Sequence, residues 1–266
     1  MARHPLLGDL AAPVLLAGTA GTVGGSRPAR VTVGAVYHRT DPLFKCWNID
    51  PSENRQWETR NLSRTAPCMA KLYALARASI LGYLRFGGGG ADSSAYQMPG
   101  GPPPYFNCSA PPPDGGARVS LQLGKQPPHC LNATWLLNLL DFSDYSGASL
   151  IFGLDINART DAGRWDPAPA KALITYATAQ GHKFAGFELG NKQNKWMNVT
   201  EAAADFLVLR QLLAELYPNA ATRPMIVGPD ANGFSVKNGG QFTRKNAQYI
   251  RTFAETCKQL GVELAP

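Results

Sequence analysis

None of the five cysteines forms a C-x-x-C pair, so neither a zinc knuckle nor a thioredoxin-type redox motif is written into this chain. No run of five or six basic residues occurs, and the scattered ones are not interleaved with aromatics. That excludes the clustered footprint of a nucleic-acid binder. A net charge of +7 still favours acidic polymers through long-range attraction. No apolar stretch approaches the ~20 residues that a membrane-spanning helix needs. The glycine run Gly87–Gly90 lacks the Lys-Ser/Thr of a P-loop, which excludes a nucleotide-phosphate site. No internal repeat is apparent.

What remains is a chain of 266 residues, 44% apolar. It is long enough for one large domain or two small ones; a barrel of eight strand–helix units takes ~250 residues. Residues 1–35 are rich in Ala, Gly and Leu, with a weak apolar core from Leu10 to Leu16 interrupted at Pro13. Two readings stay open there, a signal peptide and a disordered extension. Four Asn-x-Ser/Thr triplets, at Asn61, Asn107, Asn132 and Asn198, shift the balance toward a secreted, glycosylated protein. The expected location is extracellular or the lysosomal or vacuolar lumen.

Strand-like and helix-like segments alternate from residue 36 to residue 266. Phe44–Asp50 reads as a strand. Residues 66–81 have apolar positions at helical spacing. Tyr83–Phe86 is a strand running into the glycine corner, where Gly88 and Gly89 let the backbone pass close to a sugar-sized ligand or a neighbouring strand. Residues 98–128 are a Pro/Gly-rich insertion without regular structure. Cys108 and Cys130 bracket it and are the expected disulfide, stabilising by roughly 3 kcal/mol in the chain-entropy account. Helices are expected over Asn132–Phe142, Pro169–Gln180, Thr200–Leu216 (capped by Thr200) and 241–260. Strands are expected over Ser149–Asn157, from Phe184 into Gly190, and over Met225–Asp230. This alternation predicts a parallel α/β fold with five strands.

The stretch Phe184-Ala-Gly-Phe-Glu-Leu-Gly-Asn-Lys-Gln-Asn194 organises the chain: a short apolar run, a Gly-Asn corner, then polar residues. A buried parallel strand ends this way when its last residues face a pocket. Positions 188, 190 and 192 share a face if the strand stays extended. Glu188 then lies deep, as a structural carboxylate needing a cation, and Arg85 is its expected partner. Asp155 and Asp230 read as turn or cap residues at strand ends, with a site role as the second reading. Trp47 and Trp165 read as core rather than sugar-stacking residues, and His182 as a solvated turn residue.

Four segments, in order, resemble the heparanase-like β-glucuronidases, glycoside hydrolase family 79: Tyr83-Leu-Arg-Phe-Gly-Gly88, Ser149-Leu-Ile-Phe-Gly-Leu154, Phe187-Glu-Leu-Gly-Asn191 and Gly228-Pro-Asp230. The resemblance covers about residues 40–265 outside the insertion. It implies a (β/α)8 TIM-barrel type fold, here incomplete, with about five of eight strand–helix units. It also implies a retaining glycosidase acting on β-linked glucuronic acid in glycosaminoglycan or proteoglycan-type glycans, with no metal and no organic cofactor.

By that resemblance Asn191 hydrogen-bonds the sugar 2-hydroxyl, Asp50 faces the sugar, and Gly88 and Gly89 line the pocket. The acid/base position falls on Lys192. The family's nucleophile Glu ends strand seven and has no counterpart in these residues. Retaining hydrolysis needs two carboxyls ~5–5.5 Å apart, and a lysine, with a reference pKa of ~10.4, is too weak an acid to assist a leaving oxygen. The expectation is therefore a family member inactive as given, or alternatively a non-catalytic carbohydrate-binding pseudoenzyme. Its expected partners are a glucuronic-acid-containing polysaccharide or glycoconjugate and the absent C-terminal part of the barrel, with neither nucleic acid nor a transmembrane span.

Overall fold

The computed structural model describes residues 44–51, 62–66, 69–79, 81–105, 108, 129–232, 234–235, 241–242 and 244–265. The extension 1–35, Asn61, Asn107 and most of the 98–128 insertion lie outside them. In chain order the elements are β1 (Cys46–Ile49), α1 (Met69–Ala78), β2 (Tyr83–Phe86), β3 (Ser94–Gln97), β4 (His129–Asn132), α2 (Ala133–Ser146), β5 (Ser149–Leu154) and α3 (Ala168–Ala179). They continue with β6 (Gly186–Leu189), α4 (Val199–Leu216), β7 (Met225–Val227), β8 (Phe234–Ser235), β9 (Gln241–Phe242) and α5 (Arg244–Gln259).

The main sheet has the order β1-β2-β5-β6-β7, every neighbouring pair parallel. Each crossover from β2 onward carries a helix, as parallel strands require. This is an incomplete (β/α)8-type arrangement, and it is not closed among the described residues. On the free side of β7 the Ala265 amide donates to the Ile226 carbonyl at 2.8 Å. β7 thus accepts a backbone hydrogen bond on the side away from β6.

Two small sheets were not legible in the sequence: a parallel pair, β3 with β4, and an antiparallel pair, β8 with β9. Phe242 therefore belongs to a strand rather than to the last helix. Cys108 is bonded to Cys130, with Cα atoms 5.8 Å apart, which ties residue 108 to β4. Cys46 is exposed and free, Cys257 buried and free.

Register puts Phe86, Phe152, Phe187 and Ile226 in one row across four strands, and all four are buried. Phe86 and Phe152 have ring centroids 4.7 Å apart, and Phe184 and Phe187 4.8 Å. Leu136, Leu139, Leu173, Ile174, Phe206 and Leu209 close over the row from the helices, each no more than 1% exposed. The opposite face of the sheet carries Arg85, Ile151, Met225 and Val227, all half-buried.

Helix starts follow their caps. Asn132 accepts from the Trp135 amide and Asn198 from the Glu201 amide, each at 2.9 Å, which satisfies an amide that the first turn leaves orphaned. The cap of α4 is thus Asn198, not Thr200. Gly147, at φ 76°, ends α2 in the left-handed conformation that glycine adopts without a Cβ penalty. His182 is not merely solvated: its Nδ1 lies 2.7 Å from Asp144 Oδ2.

Candidate functional site

Polar residues gather where the parallel strands end. Asp50 follows β1, and the Gly90 amide donates to its Oδ1 at 3.2 Å. Gly88, at φ 126°, has the Asp50 carboxylate directly against its Cα, where no side chain fits. Gly88 is therefore needed to seat Asp50, and Gly89 beside it is half-buried.

Arg85, on β2, holds the interior face together. Its Nε donates to Glu188 Oε2 at 2.7 Å, its Nη1 to Asn48 Oδ1 at 2.9 Å and its Nη2 to Asp230 Oδ2 at 3.0 Å. Gly153 stands opposite Glu188 in register, and a Cβ on Gly87 would meet Arg85 Cζ at 2.8 Å. Gly87 thus leaves room for the Arg85 guanidinium, whereas a Cβ on Gly153 would meet the Phe86 carbonyl at 2.9 Å. Burial pushes the Glu188 carboxyl up to about 7, against the pull of Arg85.

A second acidic group is more deeply buried. Asp92 sits in the 3-10 turn Ala91–Ser93, and Asp155 directly follows β5. They are 1% and 3% exposed. Burial, then the Asp155 charge, raise Asp92 to about 9, while the Asn191 backbone amide pulls it down. Burial raises Asp155 to about 8, opposed first by the Tyr105 hydroxyl and then by the Asn157 amide. The Asp155 amide donates to the Tyr96 hydroxyl at 2.8 Å. The Asn157 amide donates to Asp155 Oδ1 at 2.8 Å, and Asn157 Nδ2 donates to the Asp92 carbonyl at 2.6 Å. Asp155 is therefore a buried node rather than a surface turn residue.

Trp165, 2% exposed, donates from Nε1 to the Asp155 carbonyl, and Trp47 packs half-buried against the core. Buried Asp205 is paired with Arg159 at 2.5 Å and accepts from the Trp165 amide at 3.2 Å. The sequence offers no local signal for this pair, whose members are far apart along the chain.

After β6 the extended backbone stops. Gly190 (φ 73°) and Lys192 (φ 55°) are both left-handed, so Lys192 does not share the face of Glu188 as strict alternation would require. Asn191 is buried and Lys192 exposed. The turn Gln193–Lys195 follows, with Gln193 only 1% exposed and packed over Gly190. The Gln193 amide donates to the Asp230 carbonyl at 3.1 Å. Asn194 bonds the Asn232 carbonyl and amide, both at 2.7 Å, and Asn246 at 2.8 Å. These contacts clamp the loop after β6 onto the loop after β7. Of the residues singled out from sequence, Asn191 and Asp50 lie at the strand ends, Arg85 and Glu188 meet on the interior face, and Asn132 and Asn198 are exposed helix caps. No group of three or more metal-binding side chains exists among the described residues.

A parallel barrel-type sheet with its polar residues at the carboxyl ends of the strands is the framework of many glycosidases. Residues 120–261, just over half of the chain, match the family model described as glycosyl hydrolase family 79, N-terminal domain, and the chain belongs to that family. It is similar to heparanase of Mus musculus, 30% identical over 119 residues, covering 43% of this chain and 21% of that protein. Heparanase-like protein 2 of Arabidopsis thaliana is 26% identical over 100 residues, 33% of this chain and 19% of that protein. Inactive heparanase-2 of Homo sapiens is 28% identical over 107 residues, 38% and 18% respectively. The matches thus span about a fifth of the length of these relatives. Among solved structures, a family 51 alpha-L-arabinofuranosidase from Bifidobacterium longum superposes with a TM-score of 0.47 at 12% identity, over 82% of this chain and 43% of that one.

Proposed function

We propose that this chain binds glucuronic-acid-bearing glycans at the carboxyl ends of its strands and does not hydrolyse them through residue 192. One observation carries the reading. Buried Asn191 is followed by an exposed lysine, at the place where protonation of a leaving oxygen calls for a carboxylic acid. Glu188 is no substitute, since Arg85 holds its carboxylate in a three-way network on the interior face. Asn191 and Asp50 supply polar groups for ring hydroxyls. Secretion is part of the proposal, supported by the Cys108–Cys130 bond, which persists in oxidising compartments, and by the exposed triplets at Asn132 and Asn198.

The test is calorimetry with a glucuronate-containing tetrasaccharide, alongside an aryl β-glucuronide assay. Binding that is lost in Asn191→Ala, without aryl release, is the expected result. Turnover above the no-enzyme rate, or a wild-type chain that takes up no glucuronate oligosaccharide, overturns the reading.

A further inference from the structure

Among the described residues, the large apolar side chains left exposed are Phe44, Leu75, Trp196 and Leu260. Phe44 precedes β1, Leu75 lies on α1 and Leu260 follows α5. Trp196 alone stands just beyond the carboxyl end of a sheet strand, and it is 50% exposed. Its neighbours sort by face. Gln193 and Met197 are buried, whereas Lys192, Lys195 and Trp196 are exposed. The Lys195 amide donates to the Lys192 carbonyl at 3.3 Å, so one short turn carries both exposed lysines, and Trp196 follows it directly.

We propose that Lys192, Lys195 and Trp196 form a subsite for an anionic sugar ring, carboxylated or sulfated, at the rim of the strand mouth. This inference rests on the carbohydrate-binding reading above and extends it to the group that selects for charge. The apolar face of a pyranose covers an indole well, and tryptophan supplies a large contact area with few rotamers to freeze. Two lysines select against neutral rings by charge complementarity. Residues 191–198 contain no Asp or Glu, so no carboxylate of the loop itself neutralises them. The platform is also held in place. Asn194 and the Gln193 amide fix the turn to residues 230–232 and to Asn246, so little ordering cost falls on the ligand. At the position where hydrolysis calls for an acid, the lysine becomes an anion contact.

The experiment titrates the full chain by calorimetry with unsulfated chondroitin tetrasaccharide, its sulfated counterpart and neutral cellotetraose, at two salt concentrations. Trp196→Ala is expected to weaken binding of the charged sugars about tenfold, equivalent to ~1.4 kcal/mol, and Trp196→Phe less. Lys192→Gln with Lys195→Gln is expected to weaken it by about the same factor and to flatten its salt dependence. Preference for the unsulfated ligand assigns the subsite to carboxylate, and preference for the sulfated one assigns it to sulfate. Platform variants that bind like wild type, while Asn191→Ala abolishes binding, overturn this subsite and leave the binding reading standing. Cellotetraose bound as well as the charged ligands also overturns it. A wild-type chain that binds none of the three overturns both.

Discussion

Arg85 Nη2 and Glu188 Oε2 lie 2.6 Å apart on the interior face of the sheet, although the two residues sit on strands separated by β5. The glutamate side chain is 7% exposed and the arginine 27%. Removing one member of a buried pair leaves an uncompensated charge and costs ~3–5 kcal/mol; water reaching Arg85 screens part of that. Arg85→Met is expected to destabilise by ~2–3 kcal/mol in urea unfolding. Arg85→Met combined with Glu188→Leu should lose less than the single variant, because no unpaired glutamate remains. A double variant that loses the sum of both single losses would contradict this account of the pair.

The buried carboxyls set a pH dependence with a definite sign. Asp92, Asp155 and Glu188 are raised from ordinary values of 3.8, 3.8 and 4.5 to about 9, 8 and 7. In that interval the folded chain holds more protons than the unfolded one, so stability from these groups falls as pH rises. Their contribution is fully present below about pH 4 and is lost as pH passes through the raised values. Asp92→Asn keeps the neutral form at every pH. Its midpoint of thermal unfolding should match wild type near the acid end of the window and exceed it at the alkaline end. An identical shift at both ends would remove the proton from the explanation.

Gly190 is fixed by its φ of 73° and by Gln193, whose amide occupies the space a Cβ would take. Gly190→Ala combines a left-handed alanine, costing ~1–2 kcal/mol, with displacement of the turn that carries Lys192. Denaturant unfolding should show a loss of ~2 kcal/mol or more. Gly163, also left-handed but with open space around its Cα, should lose only the backbone part on the same change.

The Cys108–Cys130 bond closes a loop with a sequence separation of 22. Replacing both cysteines with serine is expected to cost ~3 kcal/mol by loop-closure entropy. The protein with its disulfide intact should lose a similar amount on reduction. A reduced chain as stable as the oxidised one would show that the bond contributes nothing to folding.

The five parallel strands, their helices and the special character of residues 184–194 were legible in the sequence, because apolar runs, caps and glycine corners are local signals. Arg85 and Glu188 could be paired by reasoning alone, since a mid-strand charge on an inward face needs a counter-charge. Asp230 and Asn48 joining the same guanidinium came only from the register of three other strands. The pair β3 and β4 was missed because its strands lie on either side of the insertion, and nothing in four residues names a partner so distant. Asp155 looked like an ordinary turn carboxylate, and Asp92 drew no reading at all, until the packing of Tyr96, Tyr105 and Asn157 showed both to be shut away from water. Lys192 itself was written in the sequence. Its exposure was decided by two departures from extended backbone, at Gly190 and at Lys192 itself, which turn the chain over before the strand's alternation can place it. Local chemistry chose the elements. Which side chains lose water, and which face it, was settled by contacts between residues far apart in the chain, and no local pattern encodes those.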